Sequence, residues 1–275
     1  MPIKSTALKP IEHSSVLIVG VVRNCEHTLE PDLDRLARAF AAAKDLAYFV
    51  VESDSSDATL AVLQRLAKQN PRFAYETCGQ LAAQMSERTA RIAYCRNRYL
   101  QVLRERSDYQ GVDLVVVADF DGVNTRICAQ AVHSCWMRAD WDVCAANQLG
   151  PYYDVWALRH ALWSPNDCWQ QASFLRARGV NAFRAQRLAV YGRMLRLPSS
   201  AGWIEVDSAF GGLALYRRPC LEAVRYVGLD SAGEQVCEHV ALHQQIRAAG
   251  GQIVINPALI NAGVVEHAVP ATLFG

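Results

Sequence analysis

A dominant charge is what this chain most conspicuously lacks: 28 Lys and Arg stand against 27 Asp and Glu among 275 residues, for a net charge of +1. Without a global basic field a nucleic-acid partner has no electrostatic footprint, and attraction to a membrane surface is confined to local patches. No apolar run reaches the length of a spanning helix, and the opening Met1-Pro2-Ile3-Lys4-Ser5 lacks the apolar centre of a secretory leader. The expected location is therefore cytoplasmic, with peripheral contact at the inner face of the membrane as the one variation. The nine cysteines include no C-x-x-C pair and are odd in number, a pattern of reduced buried thiols rather than a disulfide frame or a structural zinc site. What is present, 51% hydrophobic and 20% charged residues, is the composition of a globular chain that can bury a full core.

The most informative segment is Asp113-Leu114-Val115-Val116-Val117-Ala118-Asp119-Phe120-Asp121-Gly122. Its apolar run reads as a strand buried on both faces, and the period of two sends Asp119 and Asp121 to the same side of its end. Paired carboxylates suit a hard cation, Mn²⁺ or Mg²⁺, which keeps coordination positions open for the phosphates of a nucleotide diphosphate.

From about residue 14 to 125 the pattern alternates strand and helix. Strands are expected at Val16–Val22, Ala47–Val51, Phe73–Glu76 and the run into Asp119, with helices at Leu29–Ala43, Ala58–Gln69 and Glu87–Arg106. Repeated βαβ units imply a parallel sheet whose ligands collect at the carboxyl ends of the strands, where Glu52, Asp54, Asp57, Asp119 and Asp121 all fall. Further on, a helix is expected within 126–145 and a strand at Asp142–Ala146. Residues 160–200, rich in Trp, Arg and Gln, read as an inserted or lid-like segment. A Gly turn at Phe210-Gly211-Gly212 leads into another strand, and Cys237–Ala249 is an amphipathic helix before the short strand Ile253–Pro257. With no repeat and no linker, one domain spans 1–275, its first half (14–125) facing nucleotide and its second (126–275) facing acceptor.

In order and spacing these motifs resemble the GT-A glycosyltransferases: the opening strand with Arg23-Asn24, the Glu52-Ser53-Asp54-Ser55-Ser56-Asp57 loop, the Arg91–Arg98 helix, Asp119-Phe120-Asp121, and Phe210-Gly211-Gly212 followed by Cys237-Glu238-His239. Glu-Ser-x-Ser-x-Asp-x-Thr, Arg-Ile-Ala-Tyr-x-Arg-Asn and Tyr-Tyr-Asp-x-x-Ala-Leu-Arg are similar to the fungal capsule-associated α-1,3-mannosyltransferases. The resemblance implies an α/β GT-A domain with a mixed, mainly parallel sheet. It also implies a donor such as GDP-mannose or a UDP-sugar, and a glycan or lipid-linked acceptor in surface polysaccharide synthesis. The stretch from Glu238 to Pro257 also resembles the inverting GT-A group, whose Glu-Asp pair supplies the base; here the second acid is replaced by His239.

On that resemblance, Asp121 holds the metal, Asp119 bonds the ribose or a metal-bound water, and the late His267 stands where many GT-A enzymes place a third ligand. Glu52, Asp54 and Asp57 are expected to hold base and ribose, with capping of the following helix as the competing role for Asp57. Arg91 and Arg98, two turns apart on one helix, can project together so that one of them reaches diphosphate, with a solvated basic face as the competing reading. Glu238 is the expected general base or acceptor-binding carboxylate, and Asp154, between Tyr153 and Trp156, has the surroundings of a sugar-binding acid. Two other readings compete. Val-Val-Val-Ala-Asp-Phe-Asp-Gly-Val resembles the first motif of haloacid-dehalogenase-like phosphatases, in which Asp119 would be the nucleophile. A catalytically silent sugar-binding protein on the GT-A fold is the other.

Overall fold

A computed structural model describes residues 7–268. Four strands build the first half: β1 (Ser15–Val22), β2 (Asp45–Glu52), β3 (Phe73–Thr77) and β4 (Leu114–Ala118). Helices α1 (Leu29–Ala39), α2 (Thr59–Gln69) and α3 (Arg88–Glu105) connect them. The second half carries the short α4 (Ala129–His133), β5 (Val143–Gln148), α5 (Cys168–Ala177), α6 (Ala182–Ala189) and the two-residue β6 (Ile204–Glu205). It closes with β7 (Leu213–Arg217), α7 (Glu238–Ala248) and β8 (Ile253–Ala262).

All eight strands join one sheet in the order β3-β2-β1-β4-β7-β5-β8-β6. β1 pairs in parallel with β2 on one side and with β4 on the other, so chain order reverses between β1 and β4. Such a switch point opens a crevice beyond the carboxyl ends of both strands, because the connections leave it in opposite directions. β7 enters antiparallel between β4 and β5, pairing Leu213 with Ala118, which brings the turn before β7 to the same crevice.

Two apolar layers cover the sheet. Leu17, Val19, Val115 and Val117 face one cluster, and Val16, Ile18, Leu114 and Val116 face the other, as the period of two requires of a strand buried on both sides. Close approach fixes Gly20: an added Cβ would lie 2.3 Å from the Ala118 carbonyl oxygen and 2.5 Å from the Phe120 ring.

Two expectations are corrected in detail. The helix within 126–145 is only five residues long and tightens into a 3-10 turn at Ser134–Met137; its chain then bends where Arg138 pairs with Asp140 and the Trp141 indole donates to the Cys135 carbonyl at 2.9 Å. β8 runs through Pro257 to Ala262, and its pairing with β5 shifts register between Ala145 and Asn147, the proline having no amide to give the ladder. Residues 160–200 are built around α5 and α6, a hairpin that inserts Cys168, Ala172, Ala185 and Ala189 into the interior.

Candidate functional site

At the crevice lies a cavity of about 410 Å³, walled by the ends of β1 and β4, by α3, by the turn before β7 and by the start of α7. Of the residues singled out from sequence, Asp54, Arg91, Asp119, Asp121, Asp154 and Glu238 all line it. They come from five stretches spread over 185 positions of the chain, and the sheet topology alone gathers them.

The acidic loop after β4 is clamped from four directions. Thr28 Oγ1 donates to the Phe120 carbonyl at 2.6 Å, and the Gly122 amide donates to buried Asp32 at 2.8 Å. Asn124 Nδ2 reaches the Asp119 carbonyl at 2.7 Å, and the Asp119 amide donates to Gly212 at 3.0 Å. Asp121 is exposed, its Oδ1 taking only the weakly placed Val123 amide at 3.2 Å. Enclosure by the cavity walls pushes the Asp119 carboxyl up to about 7; nearby Asp121, Asp154 and Glu238 add to the rise, and Arg96 opposes it.

Arg96 is the residue that sequence reasoning passed over in favour of Arg91 and Arg98. Its guanidinium is buried, donates from Nε to Glu238 Oε1 at 3.0 Å and lies 3.4 Å from Asp119 Oδ1. It also sits over the Phe210 and Tyr226 rings, 5.3 and 5.6 Å from their centroids. Arg98 instead turns to Glu76 on β3, with bonds of 2.7 and 3.1 Å, and Arg91 donates to the Met85 and Ser86 carbonyls at the cavity edge. The two share a helix face but do not converge, because each long side chain bends to its nearest acceptor.

Glu52 is placed otherwise than expected, and Asp57 takes the capping role that competed with nucleotide binding. Glu52 is buried behind the loop, its Oε1 accepting the Ser55 amide at 2.9 Å and its Oε2 the Thr77 hydroxyl at 2.5 Å. Asp57 accepts the Thr59 amide and hydroxyl and the Glu26 amide, which makes it the brace of the α2 start. Neither carboxylate lines the cavity. Asp54 does, held at φ +60° by its backbone N–H donating to the Gly79 carbonyl at 2.9 Å and by its Oδ1 accepting the Ala82 amide at 2.8 Å. His267 belongs to the turn Glu266–Ala268, and its side chain lies outside the described residues.

On the opposite wall Asp154 Oδ2 accepts the Gly211 amide at 3.0 Å, a contact the positive φ of Gly211 and Gly212 (+72° and +82°) makes available. Burial raises the Asp154 pKa against the pull of that amide and the Ala157 amide. Beside Glu238, the His239 ring stacks on Phe210 at 3.9 Å between centroids. Both its nitrogens are buried without a hydrogen-bond partner, and burial together with Arg96 holds the imidazole well below its usual pKa, hence neutral. No sequence signal beyond its place after Glu238 marked it.

The donor set here is hard oxygen from carboxylates at the mouth of a cavity, which fits Mn²⁺ or Mg²⁺ rather than a soft metal. Among the described residues, no three His, Cys, Asp or Glu side chains converge into a closed cage. A cation at Asp121 would therefore draw much of its coordination from its ligand.

No family model and no curated protein matches the chain in sequence. Solved structures do. The mannosyltransferase PcManGT from Pyrobaculum calidifontis, in complex with GDP-Man and Mn²⁺, matches with TM-score 0.51 and 17% identity over 91% of this chain and 56% of its own. Residues 1–349 of S. aureus TarS, in complex with UDP-GlcNAc, match with TM-score 0.50 and 13% identity over 92% of this chain and 59% of that one. The fold is that of the GT-A glycosyltransferases. The chain thus spans little more than half the length of either structure.

Proposed function

We propose that this GT-A chain is a metal-dependent glycosyltransferase that moves a sugar from a nucleotide-diphosphate donor to a glycan or lipid-linked acceptor. The observation that carries the reading is the convergence of Asp119, Asp121, Asp154 and Glu238 on one cavity at the switch point of the sheet. The complexes of similarly folded proteins with GDP-Man and with UDP-GlcNAc support a nucleotide-sugar donor. GDP-mannose is the first to test, because the motifs around Glu52, Arg91 and Tyr152-Tyr153-Asp154 resemble the capsule-associated mannosyltransferases.

Asp121, with Asp119 and with His267 on the family resemblance, would hold the cation, which when bound supplies Lewis-acid stabilisation of the departing diphosphate. Asp54 and Arg91 form the wall nearest the end of β1 and would orient the nucleoside. Arg96 fixes Asp119 and Glu238 relative to each other. Asp154, whose burial favours taking up a proton and whose Oδ1 takes only the long 3.4 Å contact of the Ala157 amide, would act as the base; Glu238 has Oε1 committed to the Arg96 cation and would bind an acceptor hydroxyl through Oε2. The sugar face would pack on Tyr153 and Trp156.

The phosphatase reading of Asp119 draws no support from the fold, since that residue follows the fourth strand of a GT-A sheet. The test is release of nucleoside diphosphate from GDP-mannose and from UDP-sugars, with Mn²⁺ and with a chelator. Metal-dependent release from one donor supports the reading. No release from any donor, together with intact nucleotide binding, leaves the silent sugar-binding protein in its place.

A further inference from the structure

The near neutrality of the whole chain hides a segregated charge. From Cys168 to Arg196, a stretch spanning α5 and α6, there are six arginines and no Asp, Glu or Lys, while the rest of the chain carries 22 basic and 27 acidic residues. One of the six, Arg193, is buried and bonded to Ser164, Asn166 and Gln171; Arg176, Arg178, Arg184, Arg187 and Arg196 are exposed.

The same two helices also expose large apolar side chains. Phe174, Phe183 and Leu188 are 56, 59 and 55% exposed, and Trp169 stands at 45%. These are turned outward by helix geometry, since Cys168, Ala172, Ala185 and Ala189 occupy the inward face. Phe183 and Leu188 bracket Arg184 and Arg187 on α6, and the Arg178 guanidinium lies 4.6 Å over the Phe174 ring on α5. A surface made for water alone does not cluster aromatic and leucine side chains among cations.

We propose that the α5–α6 hairpin is a membrane-docking element that takes an anionic lipid surface. Arginine heads meet lipid phosphates while phenylalanine, leucine and tryptophan enter the boundary between headgroups and acyl chains, the division of labour of interfacial amphipathic helices. Charge complementarity decides the occupant: the hairpin exposes Arg176, Arg178, Arg184 and Arg187 and has no acid in its sequence, so a second copy of the same surface is repelled. The interleaved apolar groups gain nothing from a purely polar polyanion. Position agrees, because Trp169 also walls a hollow of about 660 Å³ together with Tyr153, Asp154 and Trp156, so docking would hold that side of the site against the headgroups. The proposal stands apart from the transferase reading, since vesicle binding needs no turnover and either can fail alone.

Co-sedimentation of the full chain with phosphatidylcholine vesicles, with and without about one third phosphatidylglycerol, tests it. The chain should pellet with the anionic vesicles only, and binding should fall as salt is raised towards 0.5 M, roughly three times physiological ionic strength. Replacing Arg176, Arg178 and Arg184 together by Gln should weaken partitioning on the order of 10²-fold. Phe174→Ser with Leu188→Ser should weaken it about tenfold or more. All of these positions are exposed, so thermal unfolding of both variants should match the parent. Equal binding to neutral vesicles, no binding to either kind, or binding unchanged in both variants would overturn the proposal. So would retention on a polyanion without vesicle binding, or self-association that the apolar substitutions abolish.

Discussion

Arg96 Nε donates to Glu238 Oε1 at 3.0 Å across 142 positions of sequence, and the same guanidinium lies 3.4 Å from Asp119. One buried cation thus ties α3 to the start of α7 and to the end of β4, three of the elements that wall the cavity. Burying a charge is tolerable only when it is paired, so each partner depends on the other.

Arg96→Met should therefore destabilise the protein by about 3–5 kcal/mol, since it strands the Glu238 carboxylate in the interior. Adding Glu238→Leu should recover most of that loss. Urea unfolding of the two single variants and the double variant checks it; additive losses would show that the pair is not coupled.

Asp154→Asn keeps an oxygen for the Gly211 amide but removes the proton acceptor, so kcat should fall by about 10²–10⁴-fold with the fold intact. Glu238→Gln should instead raise the KM for acceptor more than it lowers kcat. Steady-state kinetics with the active donor separates these; the reverse pattern would exchange the two roles.

Glu52→Ala should cost stability and leave donor affinity within about threefold. Its carboxylate satisfies the Ser55 amide and the Thr77 hydroxyl inside the protein, and an unsatisfied buried group costs about 1–3 kcal/mol. Calorimetric titration of nucleotide into this variant checks the point, and complete loss of binding at unchanged stability would restore Glu52 to the nucleotide site.

Acid should destabilise the protein partly through His243, whose burial lowers its pKa to about 3 while its ring bonds Ser208 Oγ and Tyr216 Oη at 2.8 Å. The unfolded chain takes up a proton below about 6.5 and the folded chain does not until about 3, so stability is present above 6.5 and falls as pH drops. That one histidine contributes a slope of up to about 1.4 kcal/mol per pH unit. Asp119, raised to about 7, works in the opposite sense between pH 4 and 7, so the difference between the parent and His243→Gln is what should be read. Identical slopes in both would contradict the assignment.

The first half of the fold was legible because its signals are local: apolar runs of five to eight residues, polar turns at their carboxyl ends, and helical spacing between. Asp119, Asp121 and Asp54 were found on the same grounds, as carboxylates at strand ends. Glu52 shares that grammar but is spent on Ser55 and Thr77, and only the packed loop distinguishes a ligand from a brace. Arg98 turns away from the cavity, and Arg96 into it, for a related reason. Helical spacing places Arg91 and Arg98 on one face, while the acceptors that decide where guanidiniums go, Glu76 and Glu238, lie on other elements. The α5–α6 hairpin was hidden because its short helices bury alanine and cysteine and expose phenylalanine and leucine, inverting the usual pattern.

On the proposed function, this cavity binds a nucleoside diphosphate through a cation held at Asp121. Isothermal titration of GDP and UDP into the parent protein and into Asp121→Ala, each with and without Mn²⁺, tests it most directly. Binding of one nucleotide should require Mn²⁺ and be lost in Asp121→Ala, with thermal unfolding unchanged because Asp121 is exposed. Nucleotide binding that is indifferent to both Mn²⁺ and Asp121 would contradict it.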